Sequence, residues 1–430
     1  MTVDAAHHRR HLTVWSVASL GIGSMVGAGI FALLGQAALM AGSDVYLSFL
    51  IGGVVALLSG YSYARLAARF PSSGGIMDYY DKAFPARVIA GGLSVLYLVT
   101  LVVTIVMVAK TFGTYASHML PGGDAPRLYT NAFASAIVIA IVWINMVGSH
   151  AVGRAEEALV VIKLVILVVL MLAGLQGLEP AMLTQSPSVG PRALLASVGL
   201  TFFAYAGYGM MANAAGHVRD PGRTIPRAIY LAIGVVIVLY IALAVVVLGN
   251  LTSAQLAAHA ETAVAQAAKP VLGNAGFVFV SIGALFATAS AINASIFSAL
   301  EISRELAHRG QLPPIFARAA WGQGTHGLVW SAGAVLVMIN LFDLSRVAHI
   351  AGAAFLVCYL AVFAAHWRLH EKVGGSRLLI GAGAALMTVV LLALCAHLWH
   401  ERPSTILMIA AAIGGSLAVE GYVLWRLGRR

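Results

Sequence analysis

Charge is what this chain has least of. Only 10% of its 430 residues are Asp, Glu, Lys or Arg, where a water-soluble chain carries about 25%. Charge this sparse does not cover a water-facing surface, so a soluble globular fold is excluded. Cysteine is almost absent as well. Cys358 and Cys395 lie in separate apolar runs with no CxxC spacing, which reads as packing rather than a disulfide or a metal pair. Linkers rich in Pro, Gly or Ser and polar blocks are few, which implies one membrane domain and no soluble one.

What is abundant is apolar sequence, at 60% of residues. A membrane helix needs about 20 mostly apolar residues. Twelve candidates are found, at 13–40, 46–69, 86–118, 129–148, 156–177, 193–217, 227–249, 273–307, 327–343, 346–369, 377–398 and 404–425. None shows the apolar–polar alternation of a membrane β-strand. The expected class is an all-α integral membrane protein. His7, His8, Arg9, Arg10 and His11 precede the first run with no small-residue cleavage site at the right distance, so that span is expected to be retained.

The net charge of +10 would suggest nucleic acid in a soluble protein; here it reads as topology. With twelve spans and the N-terminus in the cytoplasm, 19 of the 26 Lys and Arg fall on the cytoplasmic side, 5 on the other, and Lys110 and Lys163 inside spans. The positive-inside rule therefore predicts a multi-pass protein of the cytoplasmic (inner) membrane, with the end segments 1–12 and 426–430 both cytoplasmic.

"GIGSMVGAGIF", residues 21–31, sets four glycines inside the first span, and each costs a helix interior about 1 kcal/mol relative to alanine. "FFAYAGYGMMANAAG", residues 202–216, is the matching glycine-rich stretch of the sixth span. Broken backbone at membrane depth survives only where protein or a cavity satisfies it, and its freed N–H and C=O groups are ligand handles. Tight helix packing through pairs such as Gly23 and Gly27 is the plainer reading. The second break, five spans on and therefore inverted, favours a site and an inverted-repeat transporter. The repeats are then 13–177 and 193–369, followed by helices 11 and 12 at 377–425. Lys163, in "ALVVIKLVILVV", is a charge inside an apolar run that costs roughly 3 kcal/mol on insertion scales. It marks function, with snorkelling as the plain alternative.

These stretches resemble the amino acid–polyamine–organocation transporters. "GIGSMVGAGIF" is similar to that family's first-span signature. "FFAYAGYGMMANAAGHVRDPGRTIPRAI", residues 202–229, resembles its sixth span and following loop, and "SAINASIFSALEISRELAHRGQLPPIFARA", residues 290–319, its eighth. "FPSSGGIMDYYDKAFP" resembles the loop after the second span, although relatives often have tyrosine where Ile76 or Met77 stands. The similarity runs in order along almost the whole chain. It implies the LeuT-like fold, with a 5+5 inverted repeat and broken helices 1 and 6, and secondary transport of amino acids or related amines.

By position, the resemblance puts carboxylate-binding amides on Gly27, Ala28 and Gly29. Many relatives have serine at Ala28, so a hydroxyl contact is lost there. The substrate amino group would meet carbonyls around Ala204, Tyr205 and Gly207. Phe203 takes the place of a gating aromatic, and Tyr208 and Gly209 follow the break. Gly209 stands where some relatives have an acid. A span-5 lysine such as Lys163 occupies a sodium ion's place in the proton-coupled relatives; sodium itself would need oxygen ligands there.

Asn293 and Ser295 of span 8 either line the pocket or bridge helices. Glu301 and Arg304 are spaced for a local ion pair. His217 reads as an interfacial loop residue, Lys110 as a snorkelling one, and Glu420 as a helix-contact or snorkelling residue. No presumed core span has an acid near its centre, which argues for a neutral, zwitterionic substrate; amino acid/amine exchange, and transport of a polyamine or a cationic amino acid, stay open. Expected partners are that small molecule, protons and the bilayer. No cofactor, metal or nucleic acid is expected, and a homodimer is left open. An intramembrane enzyme would need convergent catalytic groups. "HLWHE", with His397, His400 and Glu401, is not HExxH. A channel would need a selectivity motif, and none is found.

Overall fold

The computed structural model describes residues 12–72, 74–120, 126–147, 152–185, 189–322 and 324–427. The terminal basic residues Arg9, Arg10, Arg429 and Arg430 and the loop acid Asp124 lie outside the described residues. Among those described, ten helices are long and apolar enough to cross a membrane. An eleventh crossing is a pair, Val14–Met25 and Ala28–Ala41, bent by 48°. The ninth of the twelve expected spans, His326–Leu341, is apolar but only 16 residues long. At 1.5 Å per residue it covers about 24 Å, short of a hydrocarbon core of about 30 Å.

The bent pair is span 1. Spans 2 to 6 are Val45–Arg69, Arg87–His118, Arg127–Val147, Val152–Gln176 and Pro191–His217. Spans 7 to 12 are Pro221–Asn250, Lys269–His308, His326–Leu341, Leu344–Arg368, Arg377–Glu401 and Pro403–Leu427. The start of span 1 meets the end of span 6, where Leu12 N donates to His217 O, and Arg87 joins Arg309 and Glu420 of span 12 on the same face, here the terminal face.

Side-chain caps set several of the ends. Thr13 accepts from Ser16 N, Asp220 from Arg223 N and Asp343 from Arg346 N, meeting donors that the first helical turn leaves orphaned. Asp220 and the first-turn Pro221 start span 7 well before the apolar run that announces it near residue 227. Span 8 is kinked at Gly273, where φ is 63°, so its straight part begins where the apolar run does.

Span 2 packs along span 7, and span 3 along span 8. The first half of span 1 lies on span 7, and span 6 on span 2; span 10 meets span 3, and span 5 meets span 8. Exchanging each of spans 1–5 with the span five later maps this pairing onto itself. Span 11 leans on spans 2, 6 and 10, and span 12 on spans 3, 10 and 11. Between helices in a membrane, close packing and hydrogen bonds do the work that water exclusion does elsewhere.

Two short elements cover the ends of this bundle. After span 2 a short helix, Ile76–Ala83, buries Ile76, Met77, Tyr79 and Tyr80. It starts at Gly75, with φ 54°, where a Cβ would lie 1.9 Å from Asn213 Oδ1, so only glycine fits both the turn and the contact. On the opposite face, the Ser253–Ala258 helix carries a capping box, Thr252 with Gln255. The residues that follow press on the second half of span 1 so closely that a Cβ on Gly35 would meet Ala260 O at 1.9 Å.

Candidate functional site

The first half of span 1 ends at Met25, and its last carbonyls cannot find donors in their own helix. Val26 N, at the C-cap, closes the last intrahelical bond to Ile22 O at 2.7 Å, and two other spans serve the carbonyls beyond it. The Lys163 ammonium of span 5, with 0% exposure, donates to Gly23 O. The Tyr240 hydroxyl of span 7 donates to Met25 O at 2.6 Å. Across the break the second half opens at Gly27 and Ala28. The N–H groups of its first turn have no intrahelical acceptor, and the helix dipole is positive there.

Span 6 does not end and restart as span 1 does. It tightens: the α-helix stops at Tyr205, and 3₁₀ turns over Ala206–Gly209 and Ala214–His217 flank the short helix Met210–Asn213. Tyr240 Oη also lies 3.2 Å from Ala204 O. One hydroxyl has one proton, so the nearer Met25 carbonyl takes it and Ala204 O keeps acceptor capacity. Ala206 O accepts from Tyr359 Oη of span 10.

The two breaks touch through backbone. A Cβ on Gly29 would lie 2.7 Å from Ala204 Cα, and one on Gly207 would lie 2.7 Å from Met25 N and 2.6 Å from Ser24 Oγ. A Cβ on Gly27 would reach Ala291 Cβ of span 8 at 3.0 Å. Gly27, Gly29, Ala204 and Gly207 thus gather at one point; of Ala28 only the backbone is described.

The other expected residues spread outwards. Tyr205 donates to Phe49 O of span 2 at 3.0 Å, so its side chain belongs to helix packing. The Tyr208 ring stacks on Tyr359 at 5.4 Å and meets Tyr63 edge-on at 5.6 Å, in a buried aromatic cluster. Phe203 is 7% exposed and packs edge-on against Phe355, 5.2 Å away. Asn293 accepts from Asn145 Nδ2 of span 4 at 2.8 Å. Ser295 is half-buried on the same helix. Glu301 and Arg304 form the local pair at 3.2 Å, and His217 is exposed.

Lys110 differs from its expectation. It is 3% exposed and donates to Asn131 Oδ1 at 2.9 Å, so it does not snorkel. Glu420 is 0% exposed and does not snorkel either. His397, His400 and Glu401 line a surface cavity of about 350 Å³ with Gly190, Arg192 and Ala193, away from the breaks.

Sequence reasoning missed the tyrosines that serve the breaks. Tyr240, in "VIVLYIALAVV", has the one side-chain hydroxyl of an apolar run, and a buried Tyr hydroxyl needs a partner. That was the available signal. It missed a polar clamp on the terminal face too. Arg309, just beyond span 8, bonds Asp78 at 2.6 Å and Glu305 at 2.7 Å, and also Asp81. Burial alone would raise the Asp78 pKa. Ser72 and the Arg309 guanidinium together outweigh that and hold the carboxyl below its usual range, while the neighbouring carboxylates push Arg309 up. The clamp fixes the Ile76–Ala83 helix, whose Tyr80 hydroxyl donates to Cys358 O of span 10 at 2.6 Å. Cys358 adjoins Tyr359, so the clamp connects to the span-6 break.

An amino acid permease family profile matches residues 12–415. The chain is 42% identical, over 97% of both sequences, to inner membrane transport protein YbaT of Escherichia coli (strain K12). It is 35% identical to the uncharacterized protein MJ0609 of Methanocaldococcus jannaschii, over 96% of this chain and 94% of the relative. It is 26% identical to the methylthioribose transporter of Bacillus subtilis (strain 168), over 82% and 80%. Paired breaks, many spans and sequence all agree, and this chain belongs to the amino acid permease family of multi-pass membrane transporters, not to an enzyme family.

Proposed function

We propose that the chain is a secondary active transporter that moves a neutral, zwitterionic amino acid across the cytoplasmic membrane by alternating access, coupled to protons through Lys163. The observation that carries this reading is the fully buried Lys163 ammonium bonded to Gly23 O, at the open end of the first half of span 1. Its charged form ties span 5 to the break. A neutral amine there makes a bond about half as strong, so losing the proton loosens that half-helix.

The substrate carboxylate sits on the amides of Gly27, Ala28 and Gly29 at the positive end of the second half-helix. The amino group meets the Ala204 carbonyl, with those of Tyr205 and Gly207 beside it, and Phe203 gates the site. Tyr208, Asn293 and Ser295 bound the pocket further out. The five-span exchange in the packing supports repeats at 13–177 and 193–369, with spans 11 and 12 flanking them. The distribution of Lys and Arg supports both termini in the cytoplasm.

The test uses purified protein in proteoliposomes, with labelled amino acids and with or without an inward proton gradient. Gradient-stimulated, saturable uptake is expected of the wild type. Lys163→Ala is expected to fold and to lose the stimulation. Unchanged proton-driven uptake in that variant would remove the lysine from the mechanism. Uptake confined to preloaded vesicles would make the chain an exchanger.

A further inference from the structure

Glu420 is unexplained by the transport site. It lies in span 12, outside both repeats, yet its side chain has 0% exposure, and neither carboxylate oxygen has a hydrogen-bond partner among the described residues. The position is built to hold it. On span 3, the missing side chain of Gly91 leaves the space: a Cβ there would lie 2.4 Å from Glu420 Cδ. A buried carboxylate without donors is costly, so its one cationic neighbour matters.

That neighbour is Arg87, at the start of span 3, whose Nε is 3.8 Å from Glu420 Oε1. The same guanidinium donates from Nη2 to Arg309 O at 2.9 Å. Arg309 in turn grips Asp78 and Asp81 of the Ile76–Ala83 helix. Asp81 faces Glu420 with like charge. On spans 10 and 11, which also pack on span 12, Arg368 is turned to the Phe84 ring at 5.0 Å and Arg377 to the Trp367 ring at 5.9 Å. Among the described residues, Arg87 is the one cation within 4 Å of the Glu420 carboxylate.

We propose that Glu420 is the proton-responsive anchor of a gate on the terminal face. Ionised, it holds Arg87 over the Arg309 backbone and keeps the Ile76–Ala83 helix docked. On taking up a proton it releases Arg87, the clamp on Arg309 slackens, and that helix undocks from the aromatic cluster below the breaks. Glu420 is a positioning residue here, with no contact to substrate. The inference rests on the transporter fold and not on Lys163 or on the substrate.

Hydrogen–deuterium exchange of residues 76–83 tests it without a substrate, in wild type and Glu420→Gln in lipid nanodiscs from pH 8 to pH 5. Glutamine keeps the shape and removes the charge. At pH 8 the variant is expected to exchange about two- to fivefold faster, the range of a partly exposed ion pair. The ratio falls to one as the pH drops through the range where Glu420 binds its proton, because the wild type then matches the variant. Arg87→Lys, with Glu420→Gln added in its background, guards against a folding artefact: adding the second change to the first should have a smaller effect than in the wild type. Equal exchange at all pH values, or a ratio that stays constant with pH, would overturn the proposal.

Discussion

Tyr240→Phe removes a single oxygen atom and leaves the ring where it packs, 5.6 Å from Phe49 and 5.0 Å from Tyr205. Its consequence falls on the two breaks. Met25 O, at the open end of a half-helix, loses a 2.6 Å bond, and Ala204 O loses a neighbour at 3.2 Å. An unsatisfied buried acceptor costs about 1–3 kcal/mol in soluble proteins. Hydrogen bonds between membrane helices average about 0.6 kcal/mol, with a maximum near 1.7, because the unfolded chain in the membrane finds partners too. Met25 O has no helical partner to fall back on, so the cost should lie near the top of the membrane range, about 1–2 kcal/mol. That changes the folded-to-unfolded ratio by roughly 5- to 30-fold. The assay is SDS-titrated unfolding of purified protein in mixed micelles. Tyr115→Phe is the control, since its hydroxyl lies 3.4 Å from Phe31 O, a bond too long to contribute much. A Tyr240→Phe variant as stable as wild type, or no less stable than Tyr115→Phe, would refute the claim that this hydroxyl closes the break.

Gly29→Ala forces a Cβ against the Ala204 backbone at 2.7 Å, whereas Gly27→Ala meets a side-chain methyl at 3.0 Å. Overpacking of the first kind costs about 1–3 kcal/mol, so Gly29→Ala should lower transport more at equal expression, as uptake per mole of protein will measure. Asp78→Asn should destabilise the protein at neutral pH by about 1.5–3 kcal/mol, the range of a hydrogen bond to a charged group. The Asp78 pKa is depressed in the fold, so its contribution is present above the usual carboxylate range and is lost as pH falls through the folded value. Unfolding curves of variant and wild type should therefore converge in acid. Gly35→Ala pushes on Ala260 O at 1.9 Å and should expose residues 260–268 to protease from the face opposite the termini.

The elements most legible in the sequence were those whose signal is local. Twelve apolar runs mark the helices, and the glycines at 21–29 mark the span-1 break, because intrahelical bonding fails where the chain itself is permissive. Lys163 stood out as a charge inside an apolar run, and the structure buries it against Gly23 O rather than letting it snorkel. The span-6 break was legible in place but not in form. Glycines at 207 and 209 do not distinguish a gap from a 3₁₀ tightening, which depends on Tyr240 and Tyr359 arriving from spans 7 and 10. Lys110 read as a snorkelling residue, and Glu420 as a helix-contact or snorkelling one, because burial is a property of neighbours: Asn131 on span 4 in one case, Gly91 on span 3 in the other. The Arg309 clamp joins residues more than 220 positions apart, and no local pattern announces it.

The central claim is that the span-1 amides hold a carboxylate and the Ala204 carbonyl holds an ammonium. Competition for saturable uptake in proteoliposomes tests it most directly. An amino acid that is transported would be compared with its decarboxylated amine, with its deaminated acid and with methylthioribose, which has neither group. The account predicts that the amino acid competes with itself at micromolar to millimolar concentration, and that each analogue, lacking one or both charged contacts, binds at least roughly tenfold more weakly. An amine or methylthioribose that competes as well as the amino acid would contradict it.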